Sequence, residues 1–167
     1  MKKQKWWLRA CAVALAAVLV WIDQAVKMWA ETYLPGQGQR VLIPGVLGLR
    51  YAENAGISFG LFGNSPAVMQ GVVIFTGLVM LVGLLLIVMG KLDNPTMWAA
   101  AVIIGGGLGN FVDRLLQGFV VDYLEFLFME FAIFNLADVF ILCGMAALIV
   151  VTIVTERRKT QQVQHEA

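Results

Sequence analysis

Charge is what this sequence has least of. Only 14% of its 167 residues are Asp, Glu, Lys or Arg, against 60% hydrophobic residues, and residues 54–90 carry no charge at all. A water-soluble domain of this length needs far more polar surface to cover its core. The composition therefore excludes one, and the mean hydropathy of +0.80 agrees. Net charge is +1, so no basic excess is available to hold a nucleic acid. Histidine occurs once, at His165 in a polar tail, and cysteine twice, at Cys11 and Cys143 inside apolar stretches. Neither cysteine has metal-ligand spacing, so the pattern speaks against a zinc or iron site, and no metal or cofactor is expected. The two cysteines read as small apolar packing residues.

What is present instead is apolar length. Four segments, at about 7–29, 66–90, 95–116 and 134–155, reach the roughly 20 residues that cross a hydrocarbon core. The start, Met1-Lys2-Lys3-Gln4-Lys5 before an apolar run, is similar to a secretory signal. No small-x-small cleavage site closes it, so it reads as an uncleaved first span. Leu8-Arg9-Ala10-Cys11 does not read as a lipidation box, because Arg9 lies inside it and the apolar run follows it. The short Lys91-Leu92-Asp93-Asn94 turn makes spans two and three an antiparallel hairpin.

Lys2, Lys3, Lys5, Arg9, Lys91, Arg157, Arg158 and Lys159 then fall on one side, which the positive-inside rule assigns to the cytoplasm. The expectation is one integral domain over 1–167 in a bacterial inner membrane, with both termini cytoplasmic. Segments 31–65 and 117–133 are extracytoplasmic, and 156–167 form a cytoplasmic tail. Short strands are predicted at 40–44 and 48–53 around a Pro-Gly turn, and another at 120–128. The glycine-rich, aromatic stretch 56–63 follows the second of them. The fold class is membrane all-α: four transmembrane helices with a small extracytoplasmic β-sheet and loop region, the sheet resting on the membrane surface with aromatic side chains dipping in.

Two acids interrupt the apolar runs, Asp113 and Asp138, each three residues after an asparagine, Asn110 and Asn135. An ionisable group within a span is costly and is a functional-site hypothesis by default. Counting roughly 1.5 Å per helical residue brings Asp113, Asp138 and Asp23 to the same outer depth. Two carboxylates at close range cannot both ionise easily and share a proton. Such a pair can use one member as general base on a water while the other polarises a carbonyl. The plainer alternative is a buried Asp satisfied by an amide or by Arg114. Asp23 with Lys27 reads as an orienting intrahelical ion pair, and Asp122, Glu125 and Glu130 as solvated outer-face carboxylates. Four glycines in residues 105–109 let another helix, or a lipid chain, approach the backbone closely.

At these residues the chain resembles the lipoprotein signal peptidases (signal peptidase II), bacterial intramembrane aspartic proteases. Asp23-Gln24-Ala25-Val26-Lys27 is similar to the family's D-Q-x-x-K, and the segment from Asn54 to Phe59 to its N-x-G-x-x-F. Gly106-Gly107-Leu108-Gly109-Asn110-Phe111-Val112-Asp113-Arg114 resembles its G-G-x-x-G-N-x-x-D-R, and Phe134-Asn135-Leu136-Ala137-Asp138 its F-N-x-A-D. The resemblance implies Asp113 and Asp138 as the catalytic dyad. It implies Asp23, Lys27, Asn54, Gly56, Asn110, Arg114, Asn135 and Ala137 as residues that bind substrate or brace the site. It implies prolipoproteins carrying a diacylglyceryl group as substrates, cut before the lipidated cysteine, membrane lipid as a partner, and inhibition by the cyclic peptide globomycin. Val139, Ala132 and Ile57-Ser58 depart from the commoner family residues and bear on fine specificity. A proton-coupled transporter would show an internal repeat of spans and a midplane site, and neither is visible. A non-enzymatic scaffold would leave the paired acids without a reason.

Overall fold

The computed structural model describes residues 5–56 and 66–166. In chain order the elements are α1 (Trp6–Tyr33), β1 (Arg40–Ile43), β2 (Leu47–Asn54), α2 (Pro66–Val88), α3 (Asn94–Gln117), β3 (Val120–Phe126) and α4 (Leu136–Glu166). All four helices are long and apolar enough to cross a membrane. The stretch 57–65, with its predicted aromatic contact to the membrane, lies outside the described residues.

α3 is the central helix. Half of its span is buried, against 6% for the apolar α2, which presents Ile74, Phe75 and Leu78 outward. Local sequence sets the ends of α3: Asp93 precedes it, Pro95 sits in its first turn, and Gly118 ends it at φ 81°. Its glycine run explains how it can be central. A Cβ on Gly105 would meet Leu19 of α1, on Gly106 the Ala137 carbonyl and Ile141 of α4, and on Gly107 Met80 of α2. Three helices thus approach one backbone, as small-residue packing between spans allows. The gap read as open to a helix or a lipid chain is taken by helices.

Two apolar clusters hold the bundle. One joins Ala12, Ala16, Ile87, Met97, Ala101 and Ile104 towards the end that carries both the N-terminus and the α2–α3 turn. The other joins Ala30, Leu34, Val121 and Tyr123 where α1 meets β3. The sheet is antiparallel in the order β1-β2-β3. Asn54 pairs with Val120, Ala52 with Asp122 and Leu47 with Phe126. Gly45 makes the β1–β2 turn at φ 70°.

Two sequence expectations change. α4 begins at Leu136 because Phe134 is tied to Leu124 in a β-bridge, and it runs on to Glu166 because Glu156 to Gln162 hold no helix breaker. Cys11 and Cys143 are exposed on outer helix faces instead of packed inside.

Candidate functional site

The start of α4 is assembled by β3, by α1 and by its own cap residue. The first N–H groups of a helix have no intrahelical acceptor. Here Leu136 N–H donates to the Tyr123 hydroxyl oxygen of β3 (3.2 Å), Ala137 N–H to Asp23 Oδ1 of α1 (2.9 Å) and Asp138 N–H to Asn135 Oδ1 (3.0 Å). The Asn135 backbone N–H returns a bond to Asp138 Oδ2 (3.2 Å). This is a capping box with Asn at the cap and Asp three residues on. It fixes Asp138 in its rotamer and places its charge against the positive end of α4.

Asp23 is fully buried, and a Cβ on Gly109 would collide with its carboxylate. Its Oδ2 lies 2.9 Å from Lys27 Nζ, one turn on. The same ammonium reaches Asp113 Oδ2 at 2.8 Å and Asn110 Oδ1 at 2.9 Å. Asp113 also accepts from Gln24 Nε2 (2.7 Å) and from the Val121 N–H (3.2 Å). Its carboxylate is therefore enclosed by donors on the α1 side of α3. A small cavity of about 60 Å³ lies there, bordered by Gln24, Lys27, Glu31, Asp113 and Gln117.

A larger cavity of about 260 Å³ opens on the other side of Asn110. Asn54, Asn110, Arg114, Asp122 and Asp138 supply its polar wall, and Val120, Phe131 and Phe134 part of its apolar wall. Asp113 is not in its lining. Asp122 is, and it is only 2% exposed. The expectation of a solvated outer-face carboxylate is overturned for this residue: β3 is covered on both faces from Val120 to Tyr123. Glu125 is paired with Arg50 (2.8 Å) and with Gln39, and Glu130 is exposed. Asp122 Oδ1 accepts from Asn135 Nδ2 (2.6 Å) and its Oδ2 from Asn54 Nδ2 (3.0 Å). Burial, assisted by the neighbouring Asp138, pushes its pKa up from 3.8 to about 6 against the effect of those two amides. Burial also raises the Tyr123 hydroxyl far above its ordinary range, so it stays a neutral acceptor for Leu136.

The asparagines are the connectors. Asn110 Nδ2 donates to Asp138 Oδ1 (2.7 Å), across from α3 to α4, and not to Asp113 on its own helix. Asn135 Nδ2 donates both to Asp122 and to Asn110 Oδ1 (3.1 Å). Arg114 Nη2 reaches the Gly56 carbonyl (3.2 Å), and the Gly56 N–H reaches Asn54 Oδ1 (3.1 Å). Every residue that the resemblance implied for the site thus falls in one connected cluster, but Asp113 and Asp138 lie on different sides of it. Asp122 is the residue that the sequence reading placed in solvent and the fold places in the cavity wall. Its signal was the lone acid in Phe119-Val120-Val121-Asp122-Tyr123-Leu124, an acid flanked by apolar residues just as Asp138 is. Among the described residues no group of three or more His, Cys, Asp or Glu could hold a metal ion.

Residues 15–154 match the family model described as signal peptidase (SPase) II. A lipoprotein signal peptidase from Caldanaerobacter subterraneus is 34% identical over 137 residues, covering 82% of this chain and 92% of its own. One from Streptococcus agalactiae is 33% identical over 139 residues, covering 81% and 87%. A solved bacterial membrane enzyme superposes with a TM-score of 0.80 at 24% identity, covering 90% of this chain and 92% of its own.

Proposed function

The chain belongs to the signal peptidase II family, and on that footing we propose that it cleaves with Asp122 and Asp138 as its catalytic dyad. Family membership makes it an aspartic endopeptidase that removes signal peptides from prolipoproteins. The observation that carries the assignment is the shared cavity: Asp122 and Asp138 both line it, each held by amide donors, while Asp113 is turned away into the Lys27 cluster.

The reaction follows from that geometry. Asp122, whose burial keeps its proton up to about pH 6 and whose oxygens accept from two asparagine amides, enters as the acid. Asp138 sits at the N-terminus of α4 between a backbone N–H and the Asn110 amide, and carries the negative charge. A water between them loses a proton to Asp138 as its oxygen bonds to the scissile carbonyl carbon. The carbonyl oxygen takes the Asp122 hydrogen bond and then its proton, giving a neutral tetrahedral intermediate. The C–N bond breaks as Asp138 returns its proton to the leaving nitrogen and Asp122 recovers one from the collapsing diol. The exchange leaves the dyad as it began.

Asn54, Asn110, Asn135, Arg114 and Gly56 brace or bind at this cavity, and Asp23, Lys27 and Ala137 hold the frame behind it. The substrate is a prolipoprotein already bearing a diacylglyceryl group on the cysteine after the cut. Its acyl chains lie in the bilayer beside the helices, where each buried methylene contributes about 0.8 kcal/mol. Globomycin blocks the same cavity. The enzyme sits in the inner membrane with both termini cytoplasmic, a placement supported by the basic residues at both chain ends.

The test uses purified protein in detergent, without an ion gradient, on a diacylglyceryl-modified precursor and its unmodified form. The modified form is cut and the other poorly. Loss of cleavage in Asp122→Asn, with measurable cleavage left in Asp113→Asn, supports the dyad. The reverse order returns the role to Asp113. Cleavage that needs a gradient would sink the hydrolase reading itself.

A further inference from the structure

Lys27 has no place in the chemistry above, yet it is 2% exposed and all three of its N–H donors are committed. A buried ammonium is costly, and two carboxylates surround it, Asp23 and Asp113. Its third bond goes to a neutral acceptor, Asn110 Oδ1 at 2.9 Å. That bond has a direction. A lysine can only donate, so the atom facing it must be the amide oxygen. The Asn110 nitrogen is then forced to the opposite side, where it meets Asp138 Oδ1 at 2.7 Å.

We infer that Lys27 is a positioning residue: clamped by Asp23 and Asp113, it holds the Asn110 side chain so that its N–H, not its oxygen, faces Asp138. The inference rests on Asp122 and Asp138 being the reacting pair. With Lys27 removed, Asn110 can turn its oxygen towards Asp138. An oxygen there favours a protonated carboxyl, which is the wrong state for a base. Asn135 Nδ2 also donates to Asn110 Oδ1, so the orientation is weakened by the loss of Lys27, not abolished. The charged groups around this relay are Asp23 and Lys27 of α1, Asp113 and Arg114 of α3, Asp122 of β3 and Asp138 of α4. Glu31 borders the small cavity behind Lys27.

The full chain is assayed in detergent as Lys27→Met, Asn110→Ala and the double variant, with thermal unfolding recorded for each. Lys27→Met is expected to lower kcat about tenfold with KM within about twofold, since a misplaced catalytic contact costs rate more than binding. The acid limb of its pH–rate profile moves to higher pH. In the Asn110→Ala background the same substitution changes kcat less than about twofold, because the lever it acts on is gone. If Lys27→Met does not fold, the cycle is run in Asp113→Asn, where removing Lys27 as well leaves the cluster's net charge as in the native protein. Independent, multiplying effects of Lys27 and Asn110, or an acid limb that stays put, would overturn the positioning role. Asp122→Asn on the same substrate is the separate control. Its turnover would overturn the dyad, whereas its inactivity beside multiplying effects would overturn the relay alone.

Discussion

Asp23 and Asp113 share a lysine; Asp122 and Asp138 share a cavity. The two pairs are close in space; Asp23, Asp113 and Asp122 are buried and Asp138 is half-buried, and their partners differ in kind. The first pair faces a cation that uses all its donors on them and on Asn110. Among the described residues the second accepts hydrogen bonds from neutral donors: two asparagine amides on Asp122, and an asparagine amide and a backbone N–H on Asp138. A cation shared by two carboxylates and an amide binds the helices that carry them together and makes a structural tie. Neutral donors hold a carboxylate in position without pairing its charge, as the proposed dyad requires. Asp113 and Asp122 are both buried, so what separates the tie from the proposed tool is the partner.

The largest effect that can break this comparison is on turnover. Asp122→Asn and Asp138→Asn are each expected to lower kcat by about 10³-fold or more, because each removes one arm of the acid–base cycle. The double variant should be little slower than either single, since residues that act as one unit are not additive. Active-site kinetics on equal amounts of folded protein measure this. Two single losses that multiply would mean the carboxylates act separately.

The next effect is on stability, and it belongs to the other pair. Asp113→Ala leaves the Lys27 ammonium with one carboxylate in a buried setting. Removing one partner of such a pair costs about 3–5 kcal/mol. A lowered unfolding temperature in detergent, larger than that of Asp122→Asn, is expected. Asp122→Asn as the less stable of the two would erase the distinction between tie and tool.

The sequence carried the four spans, the three strands and most of the cluster, because those rest on apolar length, alternation and short motifs. Proximity was legible too: counting residues along the helices brings Asp113 and Asp138 to one end of the bundle, and both belong to the cluster around Asn110. Which way each side chain faces was not. Asp113 looks towards α1 because Gln24 and Lys27 stand there, and no property of α3 alone says where α1 packs. The matching Asn-x-x-Asp spacing likewise does not say which neighbour each side chain meets. In Asn135-x-x-Asp138 it is a capping box, whereas Asn110-x-x-Asp113 lies inside a helix and its two side chains serve different neighbours. Asp122 was hidden by alternation, since every second residue of a surface strand reads as solvent-facing until a helix bundle covers that face.

A smaller effect sharpens the comparison through pH. A carboxyl whose folded pKa lies above its unfolded value binds its proton more tightly when folded. For Asp122 these values are about 6 and 3.8. Folding stability from this residue is therefore full below about pH 4 and falls as pH rises through 6. Asn cannot titrate, so the unfolding temperature of Asp122→Asn relative to the native protein should climb between pH 4 and pH 7, by the equivalent of about 1–3 kcal/mol. The absolute offset at pH 4 is set separately, because an amide has one acceptor oxygen for the two donors Asn54 and Asn135. Only the slope reads the proton. A flat difference across this range would remove the argument that Asp122 enters the reaction as the acid.

The smallest effect comes from an ion pair outside both groups. Arg50 Nη2 and Glu125 Oε1 are 2.8 Å apart on the sheet, with the arginine side chain 49% exposed. Its geometry is as short as the Lys27–Asp113 contact, so distance alone would rank the two as equals. Solvent decides otherwise: an exposed pair is screened and loses side-chain entropy on pairing, and contributes about 0–1 kcal/mol. Glu125 also keeps a second partner, Gln39 Nε2 at 2.7 Å, when the arginine is gone. Arg50→Ala should therefore shift the unfolding temperature only slightly and leave kcat unchanged, and what shift there is should shrink with added salt. A destabilisation comparable to that of Asp113→Ala would mean that contact length, and not the surroundings of the charge, ranks the ion pairs of this protein.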